Sequence, residues 1–248
     1  MTVEATPEPA PDATGATPAR GMAPGVLLAE AMGTFALVFA GCGAIMIDTI
    51  SRGQVTHVGV AMTFGLVIAA MIYATGHISG AHLNPAVTLA FTLTRHFPMR
   101  RAPLYWLAQL AGATAAAFLL RALFGDVLHL GATIPRGRDG QSFVVEIVLT
   151  AFLMFVIMAV ATDDRAVGQA AALAVGGTVL LDAMFGGPIS GASMNPARSF
   201  GPALASNTWQ HYWVYVAGPV IGALVGAFAY EMARGEKPVP GYQPKESP

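Results

Sequence analysis

Long apolar runs alternate with short polar breaks along this chain. Six runs of roughly 17–22 residues can each cross a hydrocarbon core of about 30 Å as a helix. They extend from about Val26 to Ile47, Gly59 to Gly76, Leu104 to Leu123, Phe143 to Ala161, Gln169 to Phe185 and Tyr212 to Met232. Two further apolar segments, Asn84 to about Thr94 and Asn195 to about Leu204, are too short to cross. Roughly 11 residues rise only about 16 Å at 1.5 Å each. They are predicted to be re-entrant half-helices, tolerated at that depth only where protein or a water-filled cavity surrounds them. The order is span, span, half-helix, span, and then the same again.

Side chains repeat with the pattern. Glu30-x-x-x-Thr34 in the first span matches Glu146-x-x-x-Thr150 in the fourth, Tyr105-Trp106 matches Tyr212-Trp213, and Gly112-Ala113 matches Gly222-Ala223. Three spans per copy is an odd number, so the second copy enters from the opposite face and the repeat is inverted. Each half-helix follows a Gly/Ser loop and opens with Asn-Pro-Ala, at Asn84-Pro85-Ala86 and at Asn195-Pro196-Ala197-Arg198. Asn is a favoured N-cap and Pro a favoured first helical residue. Such a start presents unpaired N–H groups and the positive end of a macrodipole. One would be ordinary. Two, entering from opposite faces and meeting near the midplane, suggest a paired device.

Composition fixes the setting. The chain is 54% hydrophobic and 11% charged, against about 25% charged in soluble domains, with a mean hydropathy of +0.58. It reads as an all-α, multi-pass membrane protein whose surroundings are the lipid bilayer. A net charge of -1 implies no nucleic-acid partner, and the one cysteine, Cys42, allows no disulfide framework and is expected to pack. Residues 1–22 are rich in Ala, Pro, Thr and Glu, lack a basic stretch and are expected to be a disordered tail rather than a signal peptide. The predicted segments are 1–22, a first repeat over 23–124, a polar, Gly-containing connector over 125–141, a second repeat over 142–232 and a solvated tail over 233–248. Asp163-Asp164-Arg165 is expected to turn between two spans. Arg20, Arg95, Arg100, Arg101, Arg165, Arg234, Lys237 and Lys245 fall on one side, and Arg52, Arg121, Arg136 and Arg138 on the other. The excess puts both termini in the cytoplasm. Short loops and the missing targeting peptide suggest a bacterial inner membrane. No nucleophile–base pair, metal cluster or phosphate loop is evident, so no catalytic residue, cofactor or metal is expected.

The two Asn-Pro-Ala boxes, the second followed by Arg198, resemble those of the aquaporin, or major intrinsic protein, family, over about residues 25–232. That resemblance implies six tilted helices plus two half-helices, one pore per subunit and a homotetramer. It implies that Asn84 and Asn195 cap their half-helices and turn their amide N–H₂ groups into the pore, where one water accepts from both. Arg198 would be the cation of an outer constriction whose other members, by family position, are Phe64, Ala183 and Ala192. Narrow water-selective members carry His where Ala183 stands, so a wider, less polar filter is expected here. The carbonyls of Gly80, Ala81, His82, Gly191, Ala192 and Ser193 would line the pore as acceptors. Glu30 and Glu146 would brace the two loops; a proton relay is the rival role. His77 and His82 border the inner mouth, either structurally or as pH gates. Asp182, beside Ala183, either biases the filter's field or pairs with a neighbouring span. Gly218-x-x-x-Gly222 suits close helix contact.

Within the family, Ser199 stands where glycerol facilitators have Asp. The run Ala174 to Leu181, the segment Gly187 to Met194 and Tyr215-Val216 resemble the nodulin-like intrinsic proteins of plants and their bacterial relatives; Phe64 departs from them. The expected function is passive passage of water and small neutral solutes, with glycerol, urea and metalloid hydroxides as candidates and protons and ions excluded. A strictly water-selective channel is the nearest alternative. A proton-coupled secondary transporter would need an ion site, and a non-conducting adhesive protein would not need the paired Asn boxes and Arg198.

Overall fold

The computed structural model describes residues 23–163 and 170–235. The two predicted tails, the Asp164-Arg165 part of the predicted turn, and Arg20, Arg165, Lys237 and Lys245 of the charge count lie outside the described residues. Among the described residues six helices are long and apolar enough to cross a membrane. They are α1 (Pro24–Ile50), α2 (Thr56–Ser79), α4 (Ala102–Phe124, entered through a 3₁₀ turn over Met99–Arg101), α6 (Asp139–Thr162), α7 (Ala171–Ser190) and α9 (Val214–Ala233). Two short helices, α3 (Pro85–Leu93, 9 residues) and α8 (Pro196–Ser206, 11 residues), begin immediately after Asn84 and Asn195. Between α4 and α6 lies α5 (Leu128–Gly131), a four-residue turn wound left-handed.

Glycine spacing sets how closely the helices cross. In an apolar bundle, contact depends on packing rather than on expelling water, so small residues mark the crossings. A Cβ on Gly112 of α4 would collide with the Ala31 carbonyl of α1, and one on Gly222 or Gly226 of α9 with the Ile147 or Ala151 carbonyl of α6. At the centre α2 crosses α7 glycine to glycine. A Cβ on Gly65 would lie 2.6 Å from the Gly176 carbonyl oxygen, and one on Gly176 2.5 Å from that of Gly65. Those two residues stand 111 apart, as do Asn84 and Asn195, so this reciprocal crossing marks the axis relating the two halves.

Three sequence expectations change. The second and fifth spans run on through Ser79 and Ser190 rather than stopping near Gly76 and Phe185. Pro188 sits inside α7 without ending it, because a helix can lose one i→i−4 bond where another donor takes up the freed carbonyl. The partner of Tyr105 is Tyr215, not Tyr212: Tyr105 donates to the Ser79 carbonyl at 2.7 Å and Tyr215 to the Ser190 carbonyl at 2.6 Å. The Tyr-Trp pairing was a coincidence of composition, and the Gly112/Gly222 register is the one the packing follows. The connector is not a plain polar loop either, since Leu130 and Gly131 are buried.

Adjacent glycines give a test. Gly176 is pressed on Gly65, whereas a Cβ on Gly177 meets nothing within 4 Å. Gly176→Val is expected to destabilise by about 3 kcal/mol or more through overpacking, with Gly177→Ala neutral. Thermal unfolding of both variants in detergent checks this; equal melting would refute the crossing as a packing determinant.

Candidate functional site

Two irregular loops, 80–83 and 191–194, carry the site. Each follows a helix closed by a left-handed glycine, Gly80 (φ 84°) or Gly191 (φ 90°). Ala81, Leu83, Ala192 and Met194 are also left-handed. Non-glycine residues hold that conformation only where their surroundings impose it. Glu30 imposes it on the first loop: its carboxylate accepts from Ser79 Oγ (2.7 Å), His82 N (2.9 Å), Leu83 N (2.8 Å) and Gln109 Nε2 (2.8 Å). Glu146 does the same for the second, accepting from Ser190 Oγ (2.7 Å), Ser193 N (2.9 Å) and Met194 N (2.8 Å). Both acids are wholly buried.

The half-helices meet through their caps. Asn84 Oδ1 accepts from Ala86 N (2.9 Å), and Asn195 Oδ1 from Ala197 N (3.0 Å) and Arg198 N (3.2 Å). The amides are clasped as well. Asn84 Nδ2 donates to the Met194 carbonyl (2.7 Å) and Asn195 Nδ2 to the Leu83 carbonyl (2.8 Å). Sequence reasoning left both amides wholly to the pore. Each instead spends one N–H on the opposite loop and keeps one, since an amide nitrogen carries two. Trp106 Nε1 and Tyr212 OH donate to the carbonyls of Pro85 and Pro196, each at 3.2 Å, holding the first turns from outside.

A bore runs past these loops as two cavities. The inner one has a mostly apolar wall, with Leu37, Ile68, Val175 and Val179 among its residues, and a polar strip formed by 80–84 and 192–195. No described residue donates to the carbonyls of Gly80, Ala81, His82, Gly191, Ala192 or Ser193, which leaves them as unused acceptors. The outer cavity is more polar, with Asp48, His57, His129 and Arg136 on its wall. Four residues line both: Phe64, Ala183, Ala192 and Arg198.

Arg198 is only 2% exposed. Its Nη1 donates to the Gly131 carbonyl at 2.9 Å, its Cζ lies 5.1 Å from the Phe64 ring centroid, and its Nε has no partner among the described residues. The Gly131 carbonyl is aimed by α5, whose four residues all have positive φ (46–68°). Left-handed winding costs about 1–2 kcal/mol per non-glycine residue, so the turn persists because buried Leu130 and the Arg198 bond hold it. Neither α5 nor Gly131 was visible in the sequence, where the stretch shows no periodicity. Two other supports were missed. The Phe64 ring lies against Gly41 of α1, where a Cβ would collide with it. Arg121 donates to the Ala205 carbonyl at the C-terminal end of α8, a favourable place for a cation.

His82 packs among Phe91, Phe97 and Tyr105 with Nδ1 3.1 Å from Thr88 Oγ1. His77 is exposed on the last turn of α2. Asp182 is wholly buried, and neither of its oxygens has a hydrogen-bond partner among the described residues, which removes pairing with a neighbouring span. Cys42 is buried against Gly131. No group of three or more potential metal ligands occurs among the described residues.

Six spans around two half-helices that meet cap to cap, with a bore pinched between two cavities, define a multi-pass membrane channel. The chain belongs to the major intrinsic protein family, whose profile covers residues 22–230. It is 55% identical over 209 residues to aquaporin NIP1-1 of Zea mays, an alignment covering 84% of this chain and 74% of that protein. It is 48% identical over 209 residues to nodulin-26 of Glycine max, covering 84% and 77%. The fold is shared with the aquaglyceroporin from Plasmodium falciparum, at a TM-score of 0.76 and 24% identity over 84% of this chain and 96% of that one.

The buried acids should separate on mutation. Glu146→Leu strands three buried donors and is expected to cost about 3–6 kcal/mol. Asp182→Leu removes a buried polar group that has no partner and is expected to be neutral or stabilising. Melting temperatures of the purified variants decide it. A large loss for Asp182→Leu would show that this carboxylate has a partner after all.

Proposed function

We propose that this chain is a passive pore for water and small neutral solutes, with Phe64, Ala183, Ala192 and Arg198 as its selectivity filter. One observation carries the reading: among the described residues, those four alone border both cavities. Two of them are methyl groups, so only the Phe64 ring and the Arg198 guanidinium narrow the passage. A filter of this make-up admits solutes larger than water. The apolar wall gives a permeant no hydrogen bonds, and the carbonyl strip gives it acceptors on one side only. A neutral polyhydroxyl solute, urea or a metalloid hydroxide can trade hydration for that strip. An ion cannot, because its desolvation cost is far larger.

Cations and protons meet two further obstacles. The half-helix N-termini place positive dipole ends at the centre, and Arg198 adds a full charge. The remaining N–H of each Asn fixes the oxygen of a passing water and interrupts a proton-conducting file. We also propose a homotetramer with both termini cytoplasmic. That orientation is supported by the charge count over the whole sequence, eight Lys and Arg on the cytoplasmic side against four, since the described residues alone carry four on each side. The relatives from Zea mays and Glycine max are plant proteins, so the expected bacterial inner membrane finds no support in them.

Stopped-flow light scattering on proteoliposomes tests the reading. Re-swelling in gradients of glycerol, urea or arsenous acid, above the rate of empty vesicles, is expected; shrinkage without re-swelling would mean a strictly water-selective channel. Flux linear in solute and indifferent to a proton gradient is expected, and saturation coupled to that gradient would indicate a transporter. Ala183→His is expected to cut glycerol flux about tenfold while reducing water flux less, a difference of about 1.4 kcal/mol in barrier. Arg198→Ala is expected to raise cation leak under an imposed potential. An unaltered leak counts against its charge as the barrier.

A further inference from the structure

Pro188 lies inside α7 and has no N–H, so the carbonyl four residues earlier, on Met184, loses its helical donor. His57 takes that place: its Nε2 stands 2.9 Å from the Met184 oxygen. The edge of the ring abuts Gly187, where a Cβ would be 2.8 Å from His57 Cε1. His57 is in the first turn of α2, which carries Phe64 two turns further on, and Met184 directly follows Ala183 on α7. The start of α2 is itself fixed, because Thr56 N donates to Asp48 Oδ1 at 2.7 Å. One imidazole therefore ties together, at the outer rim, the two helices that bear Phe64 and Ala183 of the constriction. The glycine crossing at Gly65 and Gly176 allows the same helices to sit close below it, but supplies no directional bond there.

We propose that His57 is a positioning residue that sets the bore of the filter, by bonding the Met184 carbonyl that Pro188 leaves free. The inference rests on the filter reading given above. Without the tie, α7 is free to bend at Pro188, Ala183 moves away from Phe64, and larger solutes gain on smaller ones. Because the donor is Nε2, the length of the side chain matters. Gln places a donor N–H about where Nε2 is; Asn reaches only as far as Nδ1.

The test compares glycerol, urea and water permeabilities of His57→Ala, His57→Asn, His57→Gln and Gly187→Ala in proteoliposomes, with Ala183→His in the same series. Ratios of permeabilities are read, since they do not depend on how many channels fold. The glycerol-to-water ratio is expected to rise about threefold in His57→Ala and His57→Asn, about the factor that one net hydrogen bond represents. Gly187→Ala, which displaces the ring without removing it, is expected to do the same, and His57→Gln to restore the parent ratio. Unchanged ratios in the Ala and Asn variants, a parallel fall of all three permeabilities, or a Gln variant that behaves like Asn would each overturn the role of His57. If Ala183→His also left the ratio unchanged, the filter assignment itself would fail, and the two failures are thereby told apart.

Discussion

Backbone without regular structure cannot stand inside an apolar bundle unless its N–H and C=O groups find partners. Two loops of this chain do so, and two carboxylates make it possible. Glu30 and Glu146 each accept two consecutive backbone N–H groups and the hydroxyl of the serine that closes the preceding helix. The acids sit on α1 and α6, and those helices are locked to α4 and α9 by glycines pressed on carbonyls. Loop position is thus inherited from helix packing. What depends on it is everything the bore offers a permeant: the cap-to-cap Asn pair, the unused carbonyls and the placing of Arg198 at the start of α8.

The two halves correspond at an offset of 111 residues around the loops, and their departures from symmetry lie where selectivity is proposed. Phe64 corresponds to Val175, Ala183 to Ile72 and Arg198 to Val87. The outer end of the bore therefore carries an aromatic ring and a charge where the inner end carries aliphatic side chains. Secondary departures follow from this one. Thr88 serves His82 and Gln109, whereas its counterpart Ser199 bonds Ser193 and Thr133 of the connector. The connector after α4 has a left-handed turn because an unpaired guanidinium needs a carbonyl there. The asymmetry of the device is built from the connector and α8, on a scaffold that is otherwise duplicated.

What was legible in the sequence was whatever repeats or has a helical period. Span length, the two short segments and the Asn-Pro starts follow from local chemistry, and so the architecture could be read without contacts. Helix ends could not be read as well. Ser79 and Ser190 look like loop residues, yet they complete helices because their hydroxyls reach a buried carboxylate. The Tyr105–Tyr215 equivalence was hidden by a Tyr-Trp dipeptide in the wrong register. Long-range partners left no local trace: nothing in Leu128–Gly131 announces that its carbonyl serves Arg198, and nothing in Pro188 announces His57. Asp182 shows the limit from the other side. Its position beside Ala183 suggested a purpose, and the packing gives its carboxylate no partner.

Arg198 is held by few bonds for a buried cation. Among the described residues no carboxylate is paired with it; its contacts there are one carbonyl, its own helix cap and the face of Phe64. A salt bridge would neutralise the constriction and occupy the donors of the guanidinium. Leaving the charge uncompensated costs stability, and the fold meets that cost in part, through a carbonyl aimed by a strained turn and an aromatic ring seated on Gly41. In return, several N–H groups stay available at the one point that both cavities share. On the proposed function, a permeant there would exchange hydrogen bonds with water for hydrogen bonds with Arg198 and then with the carbonyls behind it, without passing a group that would bind it tightly. Weak, sequential and one-sided contact suits a pore that must release what it admits, and it follows from keeping the arginine free of an anion.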